Sequence, residues 1–308
     1  MLLHEHADFI NFVRIVATDR GIRDAIVEKD YWVTHVLHEM RKSEFKDAFI
    51  FKGGTSLSKG WNLIDRFSED IDLLIVPGEL GTKAKKARMR KIQDIVSTLP
   101  GLVFDEKNPD NRAGNESRTS CFRYECRSES ELGSLLPYIK VEMGFRGGTE
   151  PRELRRIQSV IGEALEKKGR QNIAENVLGV EMNLLHPKRT FVEKLYAIYS
   201  AYESGKISGK TRHYYDVFKL LGMAEVADFL GTEEYTTLKK SVAEFSRENW
   251  PASPLPPKNR LAGAAAFNPV GDQRVRIERE FAQSDIYYGR KPEFAEVIVR
   301  IQGFQERL

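Results

Sequence analysis

FKGGTSLSKGWNLIDRFSEDIDLLI, residues 51–75, is the stretch on which the reading of this chain turns. Its first residues close the apolar run DAFIFK, which reads as a buried strand, and the pair Gly53–Gly54 ends that strand. Spacing through Leu57, Trp61 and Ile64 predicts a short helix, and IDLLIV, residues 71–76, is the next strand. Side chains two apart on a strand share a face, so Asp70 and Asp72 present both carboxylates to one point while Ile71 and Leu73 turn into the core. Such a pair grips a hard divalent cation like magnesium, whose remaining positions are taken by substrate phosphates and water. Gly53 and Gly54 let backbone approach a phosphate, and Ser56 adds a hydroxyl at a helix start, where free N–H groups favour anions. A glycine turn or an acidic pair alone is common and reads as a structural turn with solvated acids. The succession of strand, glycine pair, short helix and acidic strand points instead to a nucleotide and its metal.

Outward from this stretch, residues 5–18 and 22–41 have the apolar spacing of helices that cover a sheet, and TKAKKARMRKIQDIVSTL, residues 82–99, is a basic helical stretch. DEKNPDNRAGNESR, residues 105–118, has almost no apolar side chain and reads as an exposed loop. TSCFRYEC and PYIKVEMGF alternate as strands, the second with Tyr138, Lys140 and Glu142 on one face and Ile139, Val141, Met143 and Phe145 on the other. Glu142 becomes a third metal-binding carboxylate if its strand lies beside that of Asp70 and Asp72; three acids at one point repel unless a cation sits among them. From about residue 152 the pattern is mainly helical, clearest in PKRTFVEKLYAIYSAYESG, and WPASPLPPKN, residues 250–259, is a proline-rich connector. The expected fold class is α+β: a mixed sheet flanked by helices over residues 1–150, then a mainly α-helical domain over 151–308.

The 308 residues are 41% hydrophobic and 30% charged, a globular and not a disordered composition. The net charge of +3 does not announce a nucleic-acid partner, so any such partner is sought in local patches. KAKKARMRK holds Lys85, Lys86, Arg88 and Arg90, and RELRRIQ holds Arg152, Arg155 and Arg156; both read either as solvated helix faces or as contacts to RNA phosphates. No apolar run approaches a membrane span and the N-terminus is charged, so a cytoplasmic protein with no membrane partner is expected. Cys121 and Cys126 suit neither a disulfide framework nor a zinc site and read as reduced thiols.

The glycine turn, short helix and D-x-D strand resemble the signature of the nucleotidyltransferase superfamily. Together with VEKDYWVTHVL at 27–37, RTFVEKLYAIYSA from 189 and TRHYYDVFKLL ending at 221, they resemble the AbiEii/AbiGii toxin family, which includes the MenT toxins of mycobacteria. The resemblance implies a nucleotidyltransferase-like catalytic domain followed by a helical domain completing the NTP site. It also implies magnesium, an NTP substrate, an RNA acceptor such as the tRNA 3′ end, and a cognate AbiEi-like antitoxin. It carries catalytic roles to Asp70, Asp72, Lys194 and Asp216, metal ligation to Asp70 and Asp72 with Glu142 as third carboxylate, and nucleotide binding to Gly53, Gly54, Ser56 and Lys194. Read from the residues alone, Lys194 lies at the polar margin of an apolar helix face, where lysines usually snorkel, and Asp216 is four residues from Arg212, at ion-pair spacing. Two other functions stay open: a nucleotidyltransferase modifying a small molecule such as an antibiotic, and a nucleotide-binding interaction protein without chemistry.

Overall fold

The computed structural model describes residues 1–76, 78, 80–257 and 261–308, apart from the side chain of Ala262; the last two residues of the proline-rich connector therefore lie outside the described residues. The chain divides into two compact units, Met1–Asn62 with Arg66–Leu185, and Leu63–Asp65 with His186–Leu308.

The first unit is built on a mixed sheet. Its strands are β1 (Phe49–Lys52), β2 (Asp70–Ile75), β3 (Leu102–Phe104), β4 (Arg112–Ala113), β5 (Ser117–Tyr124), β6 (Ile139–Gly144), β7 (Arg152–Ile157) and β8 (Val180–Leu185). The order across the sheet is β3-β5-β6-β2-β1-β8-β7, with β4 paired to β5. β1 runs antiparallel to β2, and β2 runs parallel to β6. Alternation is clean on β6, where Ile139, Val141 and Met143 are buried and Lys140, Glu142 and Gly144 are partly exposed. The helices of this unit are α1 (Phe9–Arg20), α2 (Asp24–Lys42), α3 (Gly53–Lys59), α4 (Thr82–Ser97) and α5 (Val160–Lys167).

The second unit is helical: α6 (Pro187–Glu203), α7 (Arg212–Leu221), α8 (Ala224–Phe229), α9 (Glu233–Asn249), α10 (Gly271–Gln283) and α11 (Phe294–Gln302). Phe191, Leu195 and Ile198 of α6 and Tyr214, Val217 and Leu220 of α7 are fully buried at its core. A mixed sheet flanked by helices, followed by a helical part, is the α+β class that the sequence predicts.

Three local expectations need correction. The expected division at 150/151 falls ahead of β7 and β8, which belong to the sheet; RELRRI is a strand, not a helix face, and the compact units divide after Leu185. α3 ends at Lys59 with Gly60 as its C-cap and does not reach Trp61, and the left-handed Asn62 beyond it (φ 53°) bars any continuation to Ile64. Residues 105–118 are not a bare loop. Asn111 donates to the Asp105 carbonyl (2.7 Å) and accepts from the Cys121 N–H (2.9 Å), so polar side chains replace apolar packing in holding this turn against β5.

Candidate active site

β1 delivers the chain to the glycine pair beside β2, with Lys52 opposite Asp72 in the antiparallel register. Gly53 adopts φ +79°, and a Cβ placed there would lie 2.0 Å from Asp72 Oδ2. The carboxylate and the glycine turn are thus one assembly: Asp72 rests against backbone that no side chain covers. A Cβ on Gly54 would lie 2.7 Å from both Arg66 Nη2 and Ser68 Oγ, so the second glycine makes room for a buried guanidinium. Thr55 fastens α3 to the acidic strand by donating to the Asp70 carbonyl at 2.6 Å. Ser56 is fully buried and donates to the Gly53 carbonyl at 3.0 Å, so in this structure its hydroxyl proton serves the turn.

The parallel register of β2 and β6 puts Lys140 opposite Asp70 and Glu142 opposite Asp72. The strand bearing Glu142 therefore lies beside the acidic strand, and the cation between the carboxylates belongs to the protein. Lys140 Nζ is 2.5 Å from Glu142 Oε1 and 3.6 Å from Asp70 Oδ1. Among the described residues no three histidine, cysteine or acidic side chains are grouped to hold a metal ion, so Glu142 does not join Asp70 and Asp72 as a preformed triad. What the fold offers is two carboxylates two residues apart on one strand, one of them over a glycine cradle and the other drawing an ammonium group. That donor set fits a hard divalent ion completed by phosphate and water oxygens.

In the second unit, Lys194 on α6 and Asp216 on α7 are both buried and form an ion pair of 2.6 Å. His213 Nδ1 lies 3.3 Å from Lys194 Nζ. An ammonium only donates, so Nδ1 accepts and the ring proton is on Nε2. Burial, reinforced by the Lys194 charge, holds the His213 pKa well below its ordinary 6.5, and the ring is neutral at physiological pH. The snorkelling reading of Lys194 fails, since its side chain is buried and not carried to solvent, and Lys194 is an ion-pair partner of Asp216.

Sequence reasoning missed the charges of α2. Glu28, Lys29 and Asp30 are consecutive, and all three are buried. Glu28 accepts from the N–H groups of Arg127 and Ser128, the latter at 2.7 Å. Lys29 bonds the Glu69 carboxylate and the Leu136 carbonyl. Asp30 takes Lys59 Nζ at 2.5 Å and the Val160 N–H at 2.8 Å. Burial moves Lys29 down and Glu69 up from their ordinary pKa values, each toward its neutral form, and their mutual attraction opposes this. These bonds tie α2 to the residue before Asp70 and to α3. Three charges in succession just ahead of Tyr31 and Trp32, on a helix whose surroundings are apolar, were the available signal.

Of the basic residues in α4, Lys86 and Arg90 are exposed and Arg88 is partly exposed. Lys85 is engaged by Glu116 at 2.6 Å, which also accepts from Arg146 at 3.0 Å. On β7, Arg155 stacks over the Trp61 ring at 4.1 Å and Arg156 pairs with Glu166 at 2.8 Å.

The sequence matches, over residues 35–300, the family described as nucleotidyl transferase AbiEii toxin, type IV TA (toxin–antitoxin) system. No curated protein matches it. Among solved structures, MenT4, a nucleotidyltransferase toxin from Mycobacterium tuberculosis H37Rv, is similar with a TM-score of 0.63 at 15% identity, covering 94% of this chain and 87% of that one. At that identity the likeness is one of fold.

Proposed function

Because the chain belongs to the AbiEii nucleotidyltransferase toxin family, we propose that it transfers a nucleotide from an NTP to an RNA acceptor, most directly the 3′ end of tRNA, and so blocks translation in the cytoplasm until a cognate antitoxin relieves it. The observation that carries this reading is the close approach of the Asp72 carboxylate to the Gly53 turn, which joins the acidic strand and the glycine pair in one assembly.

In the reaction the acceptor hydroxyl oxygen forms a bond to the α-phosphorus, the bond from that phosphorus to the β-bridging oxygen breaks, pyrophosphate leaves, and the hydroxyl proton passes to a base. Asp70 and Asp72 would hold magnesium, which when bound neutralises charge on the triphosphate oxygens. Gly53 and Gly54, which carry no side chain, would let the turn beside Asp72 approach the phosphates. Lys194, paired with Asp216 and beside neutral His213, would serve as a cationic ligand of the triphosphate. The exposed Lys86 and Arg90 of α4 support an RNA acceptor, to be engaged through phosphates in a salt-dependent manner.

The test is incubation of the purified chain with each labelled NTP, total tRNA and magnesium. Label is expected on tRNA with the wild type and absent with Asp72→Asn, a change that removes charge at nearly constant volume. Transfer undiminished in that variant, or no transfer to any RNA by a folded wild type, would sink the proposal. Lys194→Ala is a poorer probe, because it also removes an ion-pair partner from the buried Asp216.

A further inference from the structure

Lys140 links Asp70, one of the two carboxylates read as the metal grip, to Glu142. Its strand register places it opposite Asp70, and its neighbour two residues on, Glu142, is opposite Asp72. The ammonium reaches both carboxylates, close to Glu142 (2.5 Å) and more loosely to Asp70 (3.6 Å). Side-chain exposure rises along this path, from 10% at Asp70 through 20% at Lys140 to 41% at Glu142. A buried carboxylate needs a compensating charge, and Lys140 gives one to Asp70. Lysine is a flexible four-carbon stem with a point charge, so the same residue withdraws outward to Glu142 without moving the strand.

We propose that Lys140 is a resident counter-ion of the acidic strand, that a divalent ion displaces it from Asp70 on binding, and that Glu142 receives it and is not itself a metal ligand. The proposal rests on the reading of Asp70 and Asp72 as the metal grip. Lys140 then sets the affinity of the site: it keeps Asp70 compensated before the ion arrives, and its repulsion weakens the ion's hold. Glu142 acts through Lys140 as a positioning residue, drawing the ammonium off Asp70 and so favouring the metal.

The measurement is Mn2+ binding to the full chain by titration calorimetry and by the paramagnetic resonance signal of free Mn2+. The set comprises wild type, K140M, E142Q, the K140M/E142Q double variant and D72N, each checked for thermal unfolding, with K140Q in reserve if K140M does not fold. K140M is expected to bind Mn2+ about tenfold tighter or more, since two like charges a few ångströms apart repel substantially even when partly screened. E142Q is expected to bind several-fold more weakly, and the double variant is expected to match K140M, because Glu142 matters only while Lys140 is present. Where the wild type binds Mn2+, binding no tighter in K140M overturns the proposal, as does an E142Q loss that persists in the K140M background, which makes Glu142 a ligand. Failure of the underlying reading looks different: the wild type and K140M both bind no Mn2+, or D72N binds it as well as the wild type does.

Discussion

Gly53 meets two demands that no other residue meets together. Its φ of +79° is costly for a residue with a Cβ, and a Cβ there would strike Asp72 Oδ2 at 2.0 Å. Gly53→Ala is expected to lower stability by roughly 1–2 kcal/mol through the backbone alone. The larger consequence falls on the carboxylate, which has to move: nucleotide transfer should drop far more than stability does, as read by urea unfolding beside the labelled-NTP assay. A variant that keeps full transfer would show that the contact between Gly53 and Asp72 is incidental. At this scale the sequence was legible where spacing alone decides the geometry. Asp70 and Asp72 share a face because strands alternate, and Gly53 and Gly54 mark a turn. Lys140 was placed on the same face as Glu142, but its approach to Asp70 depends on β6 pairing parallel to β2 in one register, and nothing local to either strand encodes that register.

Among the elements, α2 is the one whose sequence and burial disagree. A helix facing a core normally keeps its charges on the outer face, whereas Glu28, Lys29 and Asp30 are buried in succession, and each reaches a different part of the first unit. α2 is therefore fixed by directional bonds as well as by packing. Asp30→Ala leaves the buried Lys59 ammonium and the Val160 N–H without this partner, and a loss of about 3–5 kcal/mol is expected from equilibrium denaturation. Asp30→Asn, which keeps an acceptor, should lose less; equal losses in the two would argue against the bond network. The strands misread as helix fail for a related reason. Five of the six β7 residues are not buried, so Arg152–Ile157 shows no two-residue hydrophobic period, and β8 is recognisable only once the sheet it completes is known. The pairing of Lys194 with Asp216 was not legible, since it joins two helices and has no spacing of its own.

For the molecule as a whole, buried histidines contribute to the response to mild acid. Burial lowers the pKa values of His4, His35, His38 and His213, that of His35 to about 4. Because the unfolded chain takes up these protons near pH 6.5 and the folded chain does not, the unfolded state binds more protons throughout that window. Stability is accordingly expected in full above about pH 6.5 and is lost as pH falls toward 4. His35 alone contributes on the order of 3 kcal/mol across the range. Urea midpoints measured from pH 7.5 to 4.5 should fall steadily, and His35→Gln should flatten the curve; a flat wild-type profile would count against neutral, buried histidines.

The short segment Leu63–Asp65 bears on how this gene can be divided. Its backbone and side chain work within the second unit: Asp65 N–H donates to the Tyr215 hydroxyl, its carbonyl accepts from Tyr288, and its carboxylate takes Lys219. Yet it is encoded amid the first unit, a few codons ahead of the acidic strand. A single cut after Leu185 would separate the coding segments of the two units but strand three residues of one unit inside the other. The helical half is thus not a cassette that recombination can exchange at one breakpoint, and the two halves have to be inherited, and varied, together.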